Sequence, residues 1–110
     1  MVEHPITETE KFKEMLGSIT EIKYTWHFER ERLPYRHNVT KNLIEKHLNN
    51  PSDLLIFDHQ KDSHRRHKYA AYFDKSTKYY LKIVLSVQDK KLYVVKAYII
   101  NRKRADLEVE

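Results

Sequence analysis

The sequence predicts an α+β domain in which N-terminal helices pack on a four-to-five-stranded antiparallel sheet. Three observations predict it. Apolar residues recur at helical spacing at Phe12, Met15, Leu16 and Ile19, and again at Val39, Leu43, Ile44 and Leu48. From Leu54 onward the pattern changes to short apolar runs and strand-like alternation. One Gly and three Pro in 110 residues leave no room for a collagen-like or low-complexity architecture.

The elements follow in chain order. Thr7 and Glu10 form a capping box, and Gly17 is a stop signal, so a helix is expected over about 7–16. Ile22 to Phe28 alternates: Ile22, Tyr24, Trp26 and Phe28 share one face, and Lys23, Thr25 and His27 the other. This is a strand pattern, although Thr20 is also able to cap a helix here. Glu29 to Leu33 is charged and helix-compatible, and Pro34 breaks it. Asn38 or Thr40 caps the next helix, which Asn49-Asn50-Pro51 ends. Strands are expected at Leu54–Phe57, His67–Phe73, Tyr79–Val87 and Leu92–Ile100, with 58–66 a polar loop.

A two-residue turn at Asp89-Lys90 pairs Gln88 with Lys91 and Ile83 with Lys96. Lys96 and Tyr98 then fall on the face of Leu81, Ile83 and Leu85, and a one-residue slip reverses this. Two readings stand. Lys96 snorkels to a rim beside a core tyrosine, or the pair is a polar site on an aliphatic sheet.

At 13.4 kDa the chain is read as one domain, 1–110, able to bury a modest core. It has no Cys, so no disulfide, thiolate metal site or cysteine nucleophile. No apolar run approaches a bilayer span, and Met1-Val2-Glu3-His4-Pro5 lacks a leader pattern. The expectation is a cytoplasmic protein without a membrane partner.

Charge is uneven along the chain. Residues 1–63 carry nine Lys/Arg against eleven Asp/Glu, and residues 64–110 carry twelve against five. The second part therefore holds a surplus of +7 within a net charge of +5. Such a surface attracts polyanions, nucleic acid first among them, or it serves solubility alone. His64, Arg65, Arg66, Lys68 and Lys82 are the candidate phosphate contacts in that part. His59, His64 and His67 with Asp58 and Asp62 are the one cluster with metal-ligand chemistry, but they lack zinc-site spacing. No metal and no cofactor is expected. With Gly17 the single glycine, a Gly-rich phosphate loop is excluded.

Three stretches together carry a family resemblance. They are His27-Phe28-Glu29-Arg30-Glu31-Arg32 followed by Tyr35 to Thr40, the helix ending at Asn50-Pro51, and the meander with Tyr80-Leu81-Lys82-Ile83-Val84-Leu85 and Lys96-Ala97-Tyr98. Over residues 20–104 the chain resembles the RelE-like and BrnT-like small toxin ribonucleases. It departs from them in Asn38 for the usual Gly, in Lys96 for the frequent Thr or Ser, and in a 1–19 helical extension with no counterpart.

The resemblance implies metal-independent RNA cleavage by 2′-hydroxyl attack. It nominates His27, Arg32, Arg36, Lys96 and Tyr98 as catalytic. His27 is the natural proton-transfer group, since only histidine titrates near neutrality without a large shift. Arg32 and Arg36 would clamp phosphate. The implied partners are RNA and an acidic, antitoxin-like protein. The rival expectation is a non-catalytic nucleic-acid- or partner-binding protein on the same fold. The two differ in whether the five residues converge in one cleft.

Overall fold

The structure, a computed structural model, describes residues 8–36, 38–61, 67–88 and 90–103. It is an α+β arrangement with a five-stranded sheet in the order β1-β5-β4-β3-β2. Four of the strands form the expected antiparallel meander. They are β2 (Leu54–Lys61), β3 (His67–Asp74), β4 (Tyr79–Gln88) and β5 (Lys91–Asn101). The fifth, β1 (Glu21–Tyr24), runs parallel to β5, so the sheet is mixed rather than antiparallel.

Helix α1 (Thr9–Gly17) and helix α2 (Lys41–Asn49) cover one face. Phe12 and Leu16 of α1 and Ile44 and Leu48 of α2 pack with Phe73, Leu81, Ile83, Leu85, Leu92, Val94 and Ala97. Each large apolar side chain buried there contributes about 1.5–3 kcal/mol. Thr40 caps α2 as expected, its Oγ1 accepting from the Leu43 backbone N–H at 3.1 Å. In α1 the N-cap is Glu8, without a side-chain cap bond. Thr7 lies outside the described residues.

Three further expectations need correction. First, β1 stops at Tyr24, and Trp26, His27 and Phe28 are not strand residues. Thr25 ends the strand and starts a helical segment: its carbonyl accepts from Glu29 N–H at 2.9 Å, and its Oγ1 from Phe28 N–H at 3.4 Å. A π-helical turn (Phe28–Arg32) and a 3-10 turn (Leu33–Tyr35) follow. Helical phase sends Phe28 fully into the core and leaves Trp26 outside, separating two residues that a strand would align.

Second, β2 extends through Asp58, His59 and Gln60 to Lys61 instead of giving way to a loop at 58. It is an edge strand, and an edge tolerates polar residues that a central strand would not. Phe57 still stacks on Phe12, with ring centroids 4.3 Å apart.

Third, the last hairpin keeps its expected pairing only near the turn. Gln88 faces Lys91 and Leu85 faces Val94, but Val84 then faces Lys96. Val95 is an extra residue, a β-bulge. Past it, Tyr98 lies opposite Lys82 and Ile100 opposite Tyr80, while Ala97 lies opposite Ile83. Lys96 and Tyr98 therefore belong to the face turned away from the helices. That face carries Ala70, Tyr72, Tyr80, Val84 and Ile100, with Ile56, Val95 and Tyr98 packed beside them.

Candidate active site

The site exists because β1 is short. It pairs with β5 only from Lys91 to Val94, and the Thr25 N–H closes the ladder on the Val94 carbonyl at 3.0 Å. Among the described residues no strand continues along that edge of β5. The helical segment 26–36 lies there instead. Phe28 and Leu33 anchor it to the core, and Lys41 pairs with Glu29.

Between this segment and β5 is a cavity of about 560 Å³. His27, Arg32 and Arg36 line it from the segment, and Lys96 and Tyr98 from β5, together with Ile99, Ile100 and Asn101. All five residues singled out for catalysis line this one cavity. They come from stretches of chain some sixty positions apart, brought together by the parallel β1–β5 pairing and the bulge.

The local chemistry is cationic. Arg36 places its guanidinium carbon 5.4 Å from the Tyr98 ring centroid. Its Nε is buried and makes no hydrogen bond among the described residues. A buried donor of a charged group without an acceptor is costly, and an anionic oxygen is the acceptor that would satisfy it best. Lys82 approaches the same Tyr98 ring at 5.5 Å and the Tyr72 ring at 5.4 Å. One aromatic ring thus touches two cations.

His27 has a carboxylate partner. Its Nδ1 is 2.6 Å from Glu31 Oε2. A carboxylate accepts only from a protonated nitrogen, so neutral His27 carries its proton on Nδ1 and its lone pair on Nε2. Sequence reasoning missed Glu31. Its spacing of four from His27 means contact only on a helix, whereas the alternation of residues 22–28 predicts a strand.

The candidate nucleic-acid contacts are placed differently. Lys82 is buried on β4 directly opposite Tyr98 of β5, at 8% exposure, so it backs the cavity wall rather than an outer surface. Lys68 is half-buried on β3 opposite Ser86, four positions along β4 from Lys82, or on the order of 13 Å. His64, Arg65 and Arg66 lie outside the described residues. Among the described residues no three His, Cys, Asp or Glu side chains gather as a metal site, and no helix is long and apolar enough to cross a membrane.

Compared with known proteins, the chain matches no family model, no curated protein and no solved structure.

Proposed function

We propose that the protein is a metal-independent endoribonuclease of the RelE/BrnT-like toxin type. The observation that carries this reading is the convergence of His27, Arg32, Arg36, Lys96 and Tyr98 on one cavity. Cleavage by an internal nucleophile needs a proton-transfer group and cations around the phosphorane, and no metal. The RNA 2′-hydroxyl attacks the adjacent phosphorus, an O2′–P bond forms, and the P–O5′ bond breaks. The products are a 2′,3′-cyclic phosphate and a 5′-hydroxyl.

In this scheme His27 Nε2 takes the 2′-hydroxyl proton, and Glu31 holds the imidazolium that results. Arg32 and Arg36 bind the non-bridging oxygens, with the unpartnered Arg36 Nε–H among the donors. Lys96 adds charge from the strand, and Tyr98 donates its hydroxyl proton toward the leaving 5′-oxygen. Stabilising developing charge with preset donors supplies most of the acceleration.

The test is incubation with total RNA in excess chelator, followed by end-group analysis. Cyclic phosphate ends are expected, with a loss of roughly 10²–10⁴-fold in His27→Ala. Absence of cleavage, or cleavage unchanged in the His27→Ala, Lys96→Ala double variant, overturns the reading. RNA binding without cleavage would then assign the cavity to a nucleic-acid-binding module.

A further inference from the structure

Among the described residues, four large apolar side chains are exposed, and the two most exposed are Tyr35 at 77% and Trp26 at 66%. Single exposed aromatics need no explanation. These two are not scattered. Each directly precedes a cavity residue, Trp26 before His27 and Tyr35 before Arg36, and the segment 26–36 supplies three of the cavity's cationic or titratable groups.

The backbone beneath them is fixed. Phe28 is fully buried, Leu33 packs on the core, and the Leu33 N–H closes the π turn on the Phe28 carbonyl. The Arg36 N–H closes the next turn on the Leu33 carbonyl at 3.1 Å. A π turn is rare and occurs frequently at functional sites. The two rings are thus held in water by an ordered backbone.

We infer that Trp26 and Tyr35 are stacking platforms for unpaired bases on either side of the phosphate held in the cavity, so that the substrate class is single-stranded RNA. The inference rests on the nuclease reading for its phosphate and deepens it. Charge complementarity draws the strand in: His27, Arg32, Arg36 and Lys96 meet the backbone, and the rings meet the bases. Nine residues of helical rise put the two positions on the order of 14 Å apart. That is about four stacked nucleotides at ~3.4 Å each. A duplex offers the two rings no free base faces inside its stack. Stacking is indifferent to base identity, so sequence preference from this source is weak.

Trp26 is the chain's one tryptophan, which makes it its own reporter. The probe is a pentanucleotide with every 2′-hydroxyl methylated, which removes the attacking group. Titration should quench Trp26 fluorescence saturably, whereas inorganic polyphosphate of matched charge should not. By anisotropy of a labelled pentanucleotide, Trp26→Ala and Tyr35→Ala should each weaken binding roughly five- to hundredfold. The slope of log affinity against log salt should not change in either. Arg36→Ala should reduce that slope by about 0.7. Melting temperatures of the two aromatic variants should match the parent, since both side chains are exposed.

Wild-type affinity in both aromatic variants, or equal quenching by polyphosphate, overturns the inference. Cleavage of total RNA with wild-type binding in both variants defeats the stacking and leaves the nuclease standing. Quenching and weakened variants without any cleavage defeat the nuclease and leave the stacking standing. No binding by the parent protein defeats the stacking, and cleavage of total RNA then decides the nuclease separately.

Discussion

The His27 imidazole and the Glu31 carboxylate lie one helical turn apart, 2.6 Å between Nδ1 and Oε2. The contact fixes which imidazole nitrogen keeps a lone pair. Both side chains remain about half exposed, so the pair orients His27 more than it stabilises the fold.

Under the proposed nuclease mechanism, Glu31→Ala slows RNA cleavage by about tenfold or more, within the roughly 10²–10⁴-fold expected of a general base. Unfolding should be unchanged. Single-turnover rates beside urea denaturation check both parts. A rate equal to wild type would separate Glu31 from the chemistry.

The bulge at Val95 predicts opposite outcomes at adjacent positions. Lys96 is exposed and Ala97 fully buried opposite Ile83. Lys96→Ala should change unfolding free energy by less than about 0.5 kcal/mol while lowering cleavage. Ala97→Lys should cost more than about 3 kcal/mol, because it forces a charge into the helix-facing core. An unbulged hairpin, with Lys96 facing Ile83, would reverse the two results. Urea midpoints decide between them.

Much of the fold was legible because it depends on periodicity. The stripe of Ile44 and Leu48, the cap at Thr40 and the pairing of Gln88 with Lys91 all follow from local pattern. What was not legible depends on contacts far along the chain. The spacing of Ile22, Tyr24, Trp26 and Phe28 fits a strand as well as it fits a strand that turns helical at Thr25. Only the packing of Phe28 in the core decides. No glycine marks Val95, so the face of Lys96 and Tyr98 could not be read from their own stretch. Asp58 and His59 looked like loop residues because nothing local says that β2 is an edge. The five candidate residues are nominated by chemistry and resemblance; that they line one cavity depends on the parallel β1–β5 pairing and the bulge, and the contact of Glu31 with His27 is hidden by the strand pattern.

Thr40→Ala should lower unfolding free energy by about 1 kcal/mol, through loss of the bond from Leu43 N–H. Thr40→Ser should recover most of it. Thermal or urea unfolding of the three proteins is the check, and equal stabilities would remove the cap from the account.

Stability should also depend on pH through His47. It is buried in the last turn of α2 beside the Phe73 ring, 3.5 Å from Asp53. Burial holds its imidazole below the usual 6.5, against the opposing pull of Asp53 and Asp74; Lys46 and Lys75 push the same way as burial. The unfolded chain therefore takes up the proton first as pH falls. Stability from this group is full above about 6.5 and is lost as pH drops toward the folded value. Urea midpoints at pH 7.5 and 5.5 should separate in the parent protein and converge in His47→Leu. An equal separation in the variant would place the dependence elsewhere.

The parallel pairing of β1 with β5 joins parts of the chain far apart: Thr20 bonds to the Lys90 carbonyl across 70 positions. Closing so long a loop costs more entropy than closing either hairpin, so this contact is expected to form after the hairpins β2–β3 and β4–β5. The segment bearing His27, Arg32 and Arg36 leads directly from β1. Its seat against Lys96 and Tyr98 therefore waits for that late step. A nascent chain still short of Lys91 holds the helical half of the site and none of the strand half. The cavity therefore takes shape only when synthesis of the sheet is complete.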